Sequence, residues 1–92
     1  MEIIIEGVTV HSPTEIETFP VTVNKNNCLL VKQKLIFERT KLIDYLKELQ
    51  SQGKIKSIFR PKNKQMKEHL KDICRAKKRM RATINKINAI FL

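Results

Sequence analysis

Nine cationic side chains crowd the last third of this 92-residue chain: Lys64, Lys67, Lys71, Arg75, Lys77, Lys78, Arg79, Arg81 and Lys86. Most recur at three- and four-residue spacing, which puts side chains on one face of a helix. A row of positive groups on a common face suits a row of phosphates. Duplex nucleic acid offers about one negative charge per 1.7 Å of axis. Lysines in such a row position the backbone without reading sequence. Arg75, Arg79 and Arg81 carry planar forks that can take a phosphate, or the edge of a guanine, with two hydrogen bonds at once. Asn85 and Asn88 have the groups to meet an adenine edge, although such residues more often only solvate a helix. The competing reading of the whole row is a solvated basic face with no ligand.

Other chemistry finds less support. The soft metal ligands are His11, Cys28, His69 and Cys74, and no two of them form the close pair that zinc modules use. His69 and Cys74 point about 140° apart on a helix. No phosphate-cradling glycine loop and no nucleophile elbow occurs. Glu15 with Glu17, and Asp44 with Glu48, read as solvated carboxylates rather than as a magnesium-holding cluster. The expectation is a protein that is not an enzyme and needs neither cofactor nor metal.

The basic row must be positioned by a helix over about 62–91. Met66, Ile73, Met80 and Ile87 repeat every seven residues, and Leu70, Cys74, Ile84 and Phe91 widen that stripe to a sector of about 140°. Lys64, Lys67, Lys71, Arg75, Lys78, Arg79 and Lys86 occupy the opposite side, within about 120°. Lys77 and Arg81 interrupt the apolar side. Either both snorkel from the core edge, or the helix packs on its own chain only as far as Cys74. In the second case Ile84, Ile87, Ile90, Phe91 and Leu92 would anchor a partner or a second copy of the chain. A helix of about 30 residues reaches about 45 Å, and Asn63 is placed to cap its start.

Upstream, residues 2–10 read as a β-branched strand whose alternation slips at Gly7, either as a bulge or because both faces are buried. His11-Ser12-Pro13-Thr14 is a turn. Residues 16–23 alternate as a second strand, kept to an edge by Pro20. Asn24-Lys25-Asn26-Asn27 is a loop. Residues 28–37 are ambiguous. Leu29, Val31, Leu35 and Phe37 could line a third strand, the preferred reading. Alternatively Cys28, Val31, Leu35, Leu42, Leu46 and Leu49 mark one stripe of a single long helix. A helix over 40–52 follows, with Thr40 as N-cap and Gly53 as its stop, then a short strand at 54–59.

Charge is distributed unevenly. Residues 1–24 hold Glu2, Glu6, Glu15 and Glu17 and no Lys or Arg, whereas 25–92 hold all 19 basic residues against five acids. The chain as a whole carries +10, an imbalance that points to a polyanion met by one part of the molecule. Two cysteines make no disulfide framework, the amino-terminal apolar run is too short for a signal peptide, and no stretch is long enough to span a membrane. These features suggest a cytoplasmic, reducing compartment, with a nucleoid or host-cell interior also fitting.

The expected fold is a single α+β domain over 1–92. Its compact part, 1–60, holds a small antiparallel sheet made of a three-stranded meander plus the later short strand, with one packed helix. Residues 61–92 form the long basic helix. The expected function is non-enzymatic nucleic-acid binding, to DNA or RNA, by an accessory or regulatory factor. The alternative is an interaction module or inhibitor whose basic and apolar carboxyl-terminal helix docks on the acidic groove of a partner protein. A homodimer is compatible with either, and a membrane partner with neither.

Overall fold

The computed structural model describes residues 1–55 and 63–92. It is α+β, built as β1 (Glu2–Ser12), β2 (Glu15–Asn24), α1 (Cys28–Ser51) and α2 (Lys64–Phe91). The described sheet has two strands, in the order β1-β2, so the expected three-stranded meander is overturned. The body is elongated, 47 × 19 × 19 Å.

The correction lies in residues 28–37, which are helical and continuous with the helix expected at 40–52. Val31, Ile36 and Phe37 individually favour strand. The stripe Cys28, Leu35, Leu42, Leu46 and Leu49 overrides them, because all five are buried in the shared core. Propensity is a few tenths of a kcal/mol per residue, whereas burying one leucine is worth about 1.5–3 kcal/mol. Thr40 is therefore not an N-cap. It lies inside α1, where its hydroxyl donates to the Ile36 carbonyl at 2.8 Å.

The asparagine loop turns the chain from strand to helix. Asn24 Oδ1 accepts from the Asn26 and Asn27 amides, and Asn27 Oδ1 accepts from the Asn24 amide at 2.8 Å. Gly53 sits where the sequence placed the helix stop, at φ 71°. The amides of Gly53 and Lys54 return to the carbonyls of Gln50 and Leu49, so the last turn closes on itself. Of the strand expected at 54–59, Ile55 is buried and residues 56–59 lie outside the described residues.

β1 and β2 pair without a break across Gly7, which faces Phe19; the irregularity falls instead between Val10 and Ser12. Gly7 is needed for space. A Cβ there would stand 2.5 Å from Val21 Cγ2 and 2.6 Å from the Phe19 ring. The slip in alternation reflects burial on both faces: Ile5 is buried on one, Val8 and Val10 on the other. The ribbon's first face meets α1 and its second meets α2.

Among the described residues, one charged side chain lies in this core. Glu38 occupies the apolar stripe of α1 between Leu35 and Leu42 and is 4% exposed. Its Oε2 accepts the Val10 amide at 2.8 Å, and Lys41 Nζ stands 3.0 Å from the same oxygen. Lys41 also donates to the Val10 carbonyl at 3.4 Å. The two side chains thus satisfy both polar groups of one β1 peptide residue, much as a neighbouring strand would. Burial alone would raise the Glu38 pKa, but the Val10 amide and the Lys41 ammonium outweigh it and hold it below its ordinary value.

Replacing Glu38 with Leu orphans the buried Val10 amide and should cost about 1–3 kcal/mol. Glu38→Gln keeps an acceptor and should cost less. A lowered folded-state pKa stabilises above the ordinary carboxylate range, and that stability is lost as pH falls through the folded value. Urea denaturation between neutral and acid pH should therefore show a stability loss in the wild type that is smaller in Glu38→Gln. Separately, Gly7→Ala should destabilise by about 1–3 kcal/mol through overpacking against Phe19 and Val21, measurable in the same assay.

Candidate nucleic-acid interface

α2 is held by its apolar stripe. Leu70, Ile73, Met80 and Ile87 are buried, and Met66, Ile84 and Phe91 pack partly against the same core. Asn63 caps its start by accepting the Met66 amide at 2.7 Å. The stripe runs antiparallel to α1. Tyr45 Oη lies 2.9 Å from His69 Nε2 near one end, and Arg39 Nε donates to the Lys77 carbonyl at 3.3 Å in the middle. Arg39 thus bridges the helices where the α2 stripe is interrupted. Ala76, one residue away, is small and partly buried.

This packing decides how the interruption is accommodated. The carboxyl-terminal half of α2 does not leave the core, since Met80 and Ile87 are buried in it. Lys77 is half-buried, which fits a stem lying along the core edge, and Arg81 is exposed. Of the five residues expected to face a partner, Ile87 is fully buried and Ile84 and Phe91 half-buried. Ile90 and Leu92 are exposed.

The opposite side of α2 is open to solvent. Lys64, Lys67, Lys71, Arg75, Lys78, Arg79 and Lys86 are all exposed. Their first and last members are 22 positions apart, an axial distance of about 33 Å. Asn85 is exposed among them, but Asn88 Oδ1 is buried without a hydrogen-bond partner among the described residues, which removes it from any reading of bases.

Three carboxylates reach this face: Glu68, exposed within the same sector of α2, Asp72 at its edge and Glu6 of β1. Asp72 Oδ1 lies 3.6 Å from Arg75, and Glu6 Oε2 on β1 lies 3.6 Å from Arg79. Both pairs are exposed and long. They flank an open cleft of about 330 Å³ between ribbon and helix, lined also by Val8, Ile16, Thr18 and Ala76. The acids make the cleft a poor seat for a phosphate. The outer row of cations stands apart from the cleft, whose edge holds Arg75 and Arg79 beside Asp72 and Glu6.

Among the described residues, no three of His, Cys, Asp and Glu are grouped to hold a metal ion. His11 pairs with Glu17 at 2.8 Å on the exposed hairpin tip, far in sequence from His69 on α2. Cys28 is buried in the core and Cys74 half-buried. No described helix is long and apolar enough to cross a membrane.

Sequence reasoning did not single out Glu38, the residue that fixes the ribbon to α1. Its signal was present in the helical reading of 28–49, where it is the one acid falling on the apolar stripe. No family model, curated protein or solved structure matches the chain.

Exposed ion pairs of this kind contribute about 0–1 kcal/mol. Glu6→Gln and Asp72→Asn should each shift the urea midpoint by less than that range allows, with an unchanged slope. A larger loss would show that the pairs hold α2 in place.

Proposed function

We propose that this chain is a non-enzymatic nucleic-acid-binding protein, a small accessory or regulatory factor that contacts phosphates through the outer face of α2. One observation carries the reading. Seven cations stand exposed along a single helix face, on a helix whose other face is committed to the core. A mobile tail could carry the same charge, but it would lose entropy on ordering when it bound. Here the helix is already fixed, so the cations are presented in register at low entropic cost. The face spans about 33 Å, comparable to one turn of duplex.

The contacts are chiefly positional. Lys64, Lys67, Lys71, Lys78 and Lys86 offer point charges, whereas Arg75 and Arg79 offer forks. Arg81 and Lys77 flank the row toward α1 and extend the positive field around the helix. The acidic ribbon works against contact elsewhere, because Glu2, Glu6, Glu15 and Glu17 repel a polyanion and steer it toward α2.

The second reading is docking of α2 on an acidic groove of another protein. The exposed Ile90 and Leu92 at the helix end favour it, since they add an apolar anchor to the basic row. Salt separates the two. Phosphate binding weakens steeply with salt, by about 0.9 log units per log unit of salt for each duplex phosphate neutralised. Apolar anchoring resists salt.

The test is a variant with Lys71, Arg75, Lys78 and Arg79 replaced by Ala. All four are exposed, so it should retain the wild-type circular dichroism spectrum. Its affinity for duplex DNA or structured RNA should fall at least tenfold at low salt, and the salt slope should drop by about three to four units. A gel shift and heparin retention equal to wild type would refute the proposal.

A further inference from the structure

The seam between α1 and α2 has a side turned away from the ribbon, and its charge there is of one sign. On α2, Asp72, Ala76 and Arg79 line the cleft against the ribbon. Lys77 and Arg81 lie on the other side of the buried stripe, about 40° and 80° from its centre. On α1, Lys34 borders the ribbon's apolar groove and Glu38 meets Val10. Lys32 and Arg39 lie on the other side of that stripe, within about 75° of its centre. The donation from Arg39 Nε to the Lys77 carbonyl, at 3.3 Å, sets the level at which the two pairs meet. The helices are antiparallel, so Arg81, four residues beyond Lys77, and Lys32, seven residues before Arg39, lie in the same direction along the seam. The four cations therefore fall within about 11 Å of its length.

No acid reaches this side. The chain has nine. Glu2, Glu6, Glu15 and Glu17 belong to the ribbon, and Glu38 is turned toward it by the Val10 amide. Asp44, Glu48, Glu68 and Asp72 stand about 130° or more round their helices from the seam cations. Residues 56–62 contain Lys56, Arg60 and Lys62 and no acid, so they bring no carboxylate to it. The outer row of α2 differs, because Glu68, Asp72 and Glu6 stand among or beside its cations.

The seam cations are also less hydrated. Lys32, Arg39 and Lys77 are half-buried, and Arg81 is exposed. Among the described residues none of the four is paired with a carboxylate. Charges drawn partly out of water without a counter-charge are uncommon, because their lost hydration is uncompensated. Arg39 uses only its Nε on the Lys77 carbonyl, which leaves both terminal amines of its fork without a partner among the described residues. A phosphate supplies the missing charge and can accept from a guanidinium fork through two oxygens at once.

We infer that the α1–α2 seam is a phosphate subsite for the nucleic acid, with Arg39 as its fork and Lys32, Lys77 and Arg81 as flanking charges. The inference rests on the nucleic-acid reading of α2 and carries that interface round the helix onto α1. A seam of about 11 Å matches about three phosphates of one strand, at 3.4 Å of axis each.

The test is binding of a short fluorescein-labelled duplex to the full chain, followed by anisotropy across a salt series. Lys32→Gln with Arg81→Gln removes two seam charges that make no ion pair among the described residues, so the circular dichroism spectrum should not change. Affinity at low salt should fall about tenfold and the salt slope by about two units. Lys25→Gln with Lys34→Gln removes the same charge away from the seam and should change affinity by less than about twofold, because those charges are screened from the ligand. Arg39→Lys keeps the charge and loses the fork, so the slope should stay and the affinity fall about threefold. A seam pair that binds like the wild type, beside an outer-face variant that has lost binding, overturns the subsite and leaves the nucleic-acid reading standing. Equal losses in the seam and control pairs overturn it in the same way. A wild type that binds neither duplex DNA nor structured RNA overturns both.

Discussion

A ribbon of two strands cannot wrap a 28-residue helix, and that mismatch governs the molecule. α2 finds apolar partners along one line only, in the stripe of α1 and the near face of β1. It must therefore be amphipathic. Leu70, Ile73, Met80 and Ile87 use up the buried line, and every other direction around the helix faces water or the cleft beside Glu6. Packing places no demand on that outer side. The cations there cost the core nothing, and the single long helix holds them in a fixed row.

The ribbon needs its own anchor, because an isolated hairpin is marginally stable in water. Apolar contact through Ile5, Val8, Val10 and Val23 supplies part of it. Glu38 and Lys41 supply the directional part by occupying the amide and carbonyl of Val10. Apolar packing alone would tolerate sliding of the ribbon along α1, whereas a buried carboxylate accepting one particular amide fixes register. That placement has an electrostatic consequence. It holds the acidic ribbon against one flank of α2, near enough for Glu6 to meet Arg79, and leaves the other flank wholly positive.

What the sequence made legible follows from how local each signal is. The hairpin, the Gly53 stop, the Asn63 cap and the amphipathic α2 all rest on short-range patterns, and each is found in the structure. Residues 28–37 were misread because their local signal is contradictory. Leu29, Leu30, Ile36 and Phe37 are apolar on the outside while Cys28, Val31 and Leu35 are apolar on the inside, so no helical periodicity stands out. An alternating strand fits such a segment as well as a helix does. Glu38 was overlooked because a carboxylate in a core is visible only once its partner amide is placed. Of the two readings of the slip at Gly7, a bulge or burial on both faces, the structure has the second, with Gly7 leaving room for Phe19. For the site, the row of cations was legible as a list, but the loss of Asn88 and Ile87 to the interior required the packing of α2 on α1.

The central claim is that the outer face of α2 receives a polyanion. The most direct measurement is an amide chemical-shift titration of the labelled chain with a short duplex at low salt. Perturbations should concentrate on α2 at Lys64, Lys67, Lys71, Arg75, Lys78 and Lys86, and recede as salt is raised, with the Glu2–Ser12 strand unaffected. Perturbations centred on α1 or the ribbon, or none at saturating duplex and single-stranded RNA, would contradict it.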